Sequence, residues 1–148
     1  PARPAGPRDV GPCTAAVAAS IVLVSSVQAT ASMGHATLYA ASKAALTGMI
    51  SSGAVELAGE GVRINGVVPT VSGTRNVWAS ICREHGSEAA ALGKWGPNLP
   101  LGRPVAPEEV GDVVSFLLSP RASGVTGSLL SVDAGNLAQL VSTDAANT

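Results

Sequence analysis

The sequence predicts an α/β fold built on a parallel sheet. Three observations carry the prediction. A short, continuous apolar run rich in β-branched residues stands at 20–25, the pattern of a strand covered on both faces, and two further strands read at 62–68 and 128–132. A long helix-compatible stretch, 38–59, joins the first two runs, and another, opened by Pro107-Glu108-Glu109, leads to the third. Buried strands joined through helices form right-handed βαβ crossovers, which require parallel pairing.

In the first run, Ile21-Val22-Leu23-Val24 is continuous and apolar, and small polar residues with Gly34 then make a loop. Over 38–59, Ala41, Ala45, Leu46, Met49 and Ile50 recur at helical spacing. Gly48 and Gly53 weaken that helix intrinsically, so they are expected to serve close packing, for instance against a partner subunit's helix. Gly61 marks a turn, and Pro69 stops the second strand. Residues 70–104 are irregular, with one short helix expected over 76–92 and breaks at Gly93, Gly96, Pro97 and Pro100. A long segment after a strand's carboxyl end is where a substrate lid belongs in an α/β fold. Pro107 suits a first helical turn, and Glu108 and Glu109 suit its positive end. Asp133-Ala134-Gly135 closes the last strand, where Asp133 is expected to support the turn.

The chain has 148 residues, enough for one domain with a core. Residues 1–19, rich in Pro and Gly, read as a poorly ordered lead; 20–140 as the folded part; 141–148 as a tail. The lead begins with Pro1, so a processed chain or a fragment is expected. A net charge of −1 offers no electrostatic footprint for nucleic acid and no basic membrane face. At 46% hydrophobic residues the chain is not of the disordered class. Arg3 and Arg8 before the apolar run 13–24 resemble a secretory signal, but the run also fits a buried strand, and only the strand accounts for the motifs downstream of it. The run is too short to span a bilayer as a helix. Cys13 and Cys82 are isolated, without metal-ligand spacing. They read as idle thiols in a reducing cytoplasm, with a disulfide between them left open. His35 and His85 read as solvated residues, with His35 near enough to the first strand's end to line a pocket.

Tyr39 and Lys43 are four residues apart at the start of the long helix, which places both on one face. An ammonium close to a phenol favours its deprotonated form. A phenol so placed can give a proton to a carbonyl undergoing reduction or take one from an alcohol. Alone, such a pair is most often two exposed helix residues. Ser26 sharpens the signal. It stands just past the first strand, thirteen positions before Tyr39, and open α/β sheets bind ligands at strand carboxyl ends. Its hydroxyl can hydrogen-bond a substrate oxygen there; by itself it reads as a turn or capping serine.

These residues resemble the active-site region of the short-chain dehydrogenases/reductases. The resemblance runs in order through Ile21-Val-Leu-Val-Ser-Ser26, Tyr39-Ala-Ala-Ser-Lys43, Val62-Arg-Ile-Asn-Gly-Val-Val-Pro69, Pro100-Leu-Gly-Arg-Pro104, Pro107-Glu-Glu-Val110, Phe116-Leu-Leu-Ser-Pro120 and Val125-Thr-Gly127 to Gly135. It implies the C-terminal part of a doubly wound, Rossmann-like sheet. It also implies hydride transfer between NAD or NADP and a small-molecule secondary alcohol or ketone. Ser26 would position the substrate oxygen, Tyr39 would be the acid–base residue, and Lys43 would support Tyr39 and bind the nicotinamide ribose. Pro69 and Thr74 would hold the nicotinamide end. No metal is implied, and the long helix 38–59 would form a homo-oligomer interface.

Two departures stand out. The position after Pro69, glycine in the family, is Thr70, and Ser72 replaces the usual branched apolar residue. The chain also has no GxxxGxG turn of the kind that cradles a dinucleotide pyrophosphate at a helix N-terminus, and no match to the family's catalytic asparagine. The expectation is therefore a truncated oxidoreductase that binds dinucleotide weakly by itself. The alternative is a non-catalytic remnant acting as an association module through its helix and sheet edge. The sequence names neither the substrate nor the choice between NAD and NADP.

Overall fold

The computed structural model describes residues 19–74 and 77–139. A three-stranded parallel sheet, in the order β1-β2-β3, forms its centre. Strand β1 (Ala19–Val24) pairs with β2 (Val62–Pro69), and β2 pairs with β3 (Leu129–Val132). Helix α1 (Thr37–Leu57) carries the chain from β1 to β2, and α4 (Pro107–Leu118) carries it back toward β3. The fold is α/β and Rossmann-like, as the alternation of runs predicts. β1 begins at Ala19, the last residue of the expected lead; the rest of that lead, Cys13 and the tail lie outside the described residues.

The approach of α1 to the sheet depends on glycine. Gly66 lies midway along β2, and a Cβ there would meet Ile50 Cδ1 at 2.5 Å and Leu129 Cδ2 at 2.6 Å. Its bare backbone lets Ile50 of α1 descend onto the sheet and become fully buried with Ala54 and Ile64, against Leu23. Burying a side chain of that size stabilises the fold by about 1.5–3 kcal/mol. Gly53 serves the same contact: a Cβ on it would lie 3.3 Å from Ile64 Cδ1. The close packing expected between subunits at Gly53 is thus made within the chain, whereas Gly48 faces open space.

Polar groups fasten the other face of β2. The Arg63 side chain is buried and donates to the carbonyls of Leu117 (2.8 Å), Ser119 (3.2 Å) and Val125 (3.0 Å). Two of these acceptors lie at the negative end of α4, where a cation is favoured. Asn65, fully buried, donates to Val125 O at 2.8 Å and accepts from Ser128 N at 3.0 Å. These bonds pin the loop between α4 and β3.

Between β2 and α4 the sequence leads to one helix, but there are two, α2 (Val77–Glu84) and α3 (Glu88–Trp95). The break has a local cause. Gly86 adopts φ +83°, which favours glycine, and the Ser87 hydroxyl accepts the Ala90 N–H and starts α3. Asn76, the expected start of the single helix, is outside the described residues. At α4, Arg103 grips Glu109 with two guanidinium bonds of 2.8 Å, while Glu109 Oε2 accepts the Ala106 N–H at 2.7 Å. Asp133 closes the chain as expected, accepting from Gly135 N (3.0 Å) and Leu137 N (2.8 Å).

Candidate active site

The site begins where β1 ends. Parallel strands present their carboxyl ends on one side of the sheet, and β1 and β2 end there at Val24 and Pro69. Helix α1 starts beside them. At 100° per residue, Tyr39, Lys43, Ile50 and Ala54 fall within about 60° of one another. The face that buries Ile50 and Ala54 against the sheet therefore continues, one turn from the helix start, as the face carrying the phenol and the ammonium.

Ser26, Tyr39 and Lys43 line one cavity of about 540 Å³, together with Pro69 and Thr70. Tyr39 is 46% exposed. The Lys43 ammonium lies 5.7 Å from the Tyr39 ring centroid and donates to Val24 O at 2.9 Å. One of its three donors is engaged in that bond, leaving two for a ligand. Ser26 is 7% exposed, and its Oγ accepts the Gln28 N–H at 3.2 Å. It caps the 3-10 turn Val27–Ala29, so the capping role holds alongside its place in the cavity wall. A hydroxyl that accepts one bond retains its own proton for a ligand oxygen.

Thr74 is not brought to this cavity. Its Oγ1 accepts the Val77 N–H at 3.3 Å and its carbonyl accepts the Trp78 N–H, so it starts α2. It faces a neighbouring cleft with Trp78, Glu88 and Arg103. His35 is exposed, with φ 65°, and does not line the cavity. Three further residues matter. Ser25, 3% exposed, donates from its Oγ to Lys43 O at 3.0 Å and so ties α1 to the end of β1. Gln28 lines the cavity, and its buried Oε1 has no partner among the described residues. Asn136 reaches the cavity from beyond β3. A serine doublet at a strand end is the sequence signal for Ser25; Gln28 and Asn136 have none. Among the described residues no group of three or more His, Cys, Asp or Glu is placed to hold a metal ion, and no helix is long and apolar enough to cross a membrane.

Fold and site define a Rossmann-like α/β protein with a serine, a tyrosine and a lysine gathered at the strands' carboxyl ends. A family model described as enoyl-(acyl carrier protein) reductase matches residues 5–136. Relatives include cis-4-hydroxycyclohexanecarboxylate dehydrogenase of Sinomonas cyclohexanicum, 34% identical over 82% of this chain and 46% of its own length. Another is a 3-oxoacyl-(acyl-carrier-protein) reductase of Thermotoga maritima, 40% identical over 78% of this chain and 44% of its own. Among solved structures, a short chain dehydrogenase family protein from Francisella tularensis superposes with TM-score 0.76 at 32% identity, over 83% of this chain and 52% of that one. Aldohexose dehydrogenase from Thermoplasma acidophilum gives 0.73 at 36%, over 81% and 48%. ElxO, a further neighbour at TM-score 0.71 and 28% identity, covering 81% of this chain and 47% of that one, was solved with NADP bound. The chain belongs to the short-chain dehydrogenase/reductase family. It spans about half the length of the relatives it matches.

Proposed function

We propose that this chain carries the acid–base centre of an oxidoreductase that moves a hydride between NAD or NADP and a secondary alcohol or ketone. The observation that carries the reading is the convergence of Ser26, Tyr39 and Lys43 on one cavity at the carboxyl ends of β1 and β2. Ser26 donates to the substrate oxygen and holds it toward the phenol. Tyr39 gives that oxygen a proton in reduction and removes one in oxidation. Lys43 supplies positive charge beside the phenol.

The residues present fit the nicotinamide end of the cofactor. Lys43 has donors to spare for ribose hydroxyls, Pro69 lines the same cavity, and Gln28 Oε1, without a partner among the described residues, would accept from a donor. Bound there, NAD or NADP would accept or supply the hydride. Thr74, as placed here, would need to turn from α2 to reach it. The pyrophosphate finds no GxxxGxG cradle in this sequence, so the proposal includes weak dinucleotide binding by the chain alone. It also includes a homo-oligomer through α1, supported by Leu38 and Val55, which are 88% and 80% exposed, and a cytoplasmic location, supported by the two isolated cysteines.

The test is nicotinamide absorbance with the full chain, high dinucleotide and a panel of secondary alcohols. The wild-type chain should turn over at least ~100-fold faster than Tyr39→Phe. Equal rates would overturn the reading.

A further inference from the structure

We infer that the cavity beside Tyr39 selects neutral, apolar, ring-sized ketones and alcohols, and rejects carboxylates, phosphates and polyhydroxylated chains. This rests on the oxidoreductase reading and names its substrate class.

The walls carry the argument. Away from Ser26 and Tyr39 the cavity is lined by Met33, Val71, Val77, Ile81 and Trp95: a thioether, three branched aliphatics and an indole. Such surfaces bury apolar rings and offer anions no partner. Lys43 is the charged side chain in the lining; no Arg, Asp or Glu among the described residues joins it. Its ammonium is held beside the phenol by Val24 O, at the reacting end. A carboxylate or phosphate seated against these apolar walls would give up water without a counterion, which is costly.

The polar side chains that remain do not change this. Ser25, Gln28, Thr70, Ser72 and Asn136 are neutral. Asn136 already donates from Nδ2 to Asn98 O at 2.7 Å, which fastens the wall next to Trp95. The Gln28 amide oxygen is an acceptor without a partner among the described residues; it suits a donor and not an anion. These few neutral groups cannot replace the water around a polyhydroxylated chain, so each stranded hydroxyl lowers affinity.

The enclosing segment is built to hold this shape. Gln139 Nε2 donates to Pro97 O at 2.9 Å, Leu101 N donates to Ala134 O at 3.1 Å, and Gly73 N donates to Val105 O at 2.7 Å. The segment is thus tied near 97–101 to the turns after β3, and its two ends are tied to each other at Gly73 and Val105.

Ligand-observed saturation-transfer NMR tests the inference on the full chain, with oxidised dinucleotide present so that no ketone is reduced. The probes are methylcyclohexanone, the oxocyclohexane carboxylate of the same ring, and a ketohexose. Methylcyclohexanone should bind at least ~10-fold tighter than either, Trp95→Ala should weaken it, and Ile81→Lys should raise carboxylate affinity. Equal or tighter binding of the carboxylate or the ketohexose, no binding of methylcyclohexanone, or an order untouched by both variants would overturn the inference. The two readings fail separately. Tyr39-dependent turnover with the probe order reversed removes only the substrate class, and this binding order with Tyr39-independent turnover removes only the oxidoreductase.

Discussion

The Lys43 ammonium donates a hydrogen bond of 2.9 Å to the carbonyl of Val24, the last residue of β1. A second bond crosses the same junction, from Ser25 Oγ to Lys43 O at 3.0 Å. Together they fix the helix that bears Tyr39 against the strand that leads to Ser26. The backbones that carry the phenol and the serine are thereby held together where α1 meets β1.

Lys43→Met keeps the helix but removes the ammonium. Turnover should fall by about 100-fold or more, while stability should change by no more than about 1 kcal/mol, the net worth of one such bond. Ser25→Ala should act differently. It leaves the Lys43 charge in place, loosens the junction, and lowers turnover less than Lys43→Met does. Steady-state rates and urea midpoints on the same preparations check both.

Gly66→Ala forces a methyl into the space held by Ile50 and Leu129. Overpacking at such a position costs about 1–3 kcal/mol. The urea midpoint should drop accordingly, and Ile50→Val in the same chain should recover part of the loss. An unchanged midpoint would mean that α1 does not rest on β2 at Gly66.

Arg63→Met removes three hydrogen bonds to the carbonyls of Leu117, Ser119 and Val125, which keep Ser20 Oγ, Ala122 N and Asn65 Nδ2 as their other donors. Each lost bond from a charged donor is worth about 1.5–3 kcal/mol, so the urea midpoint of the variant should fall. Arg63→Lys, which satisfies fewer of the three, should fall between it and the wild type.

The Arg103 guanidinium, and then the Ala106 N–H, hold the Glu109 carboxyl at about 2, below its ordinary value of 4.5. A carboxyl depressed in the folded state contributes stability that is complete above the unfolded value and is lost as pH falls through the folded one. The contribution should therefore disappear between about 4.5 and about 2. Glu109→Gln should flatten the acid limb of a stability–pH curve across that window. An identical limb in both proteins would rule the pair out as its source.

Much of this is legible in the sequence, because the elements obey strong local rules. Continuous β-branched runs, a helix-length spacer and Pro107 at a first turn fix β1, α1, β2 and α4 without tertiary information. Tyr39 and Lys43 are legible for the same reason, since four-residue spacing alone puts them on one face. The split between α2 and α3 is not, because Ser87 acts as a cap only once Gly86 has turned left-handed. Thr74 sits away from its expected place because its hydroxyl is drawn into starting α2, a local bond that competes with any ligand. Arg63 and Asn65 fall within the expected second strand, but their burial depends on carbonyls more than fifty residues away, which the local pattern does not encode. Gln28 and Asn136 reach the cavity through loop geometry that no periodicity encodes.

The most direct test tracks deuterium. A secondary alcohol deuterated at its carbinol carbon is incubated with the full chain and oxidised dinucleotide, and label on the nicotinamide ring is measured by NMR. The account predicts transfer to one ring carbon by the wild-type chain and its near-complete loss in Tyr39→Phe of equal stability. Undiminished transfer in Tyr39→Phe would contradict it.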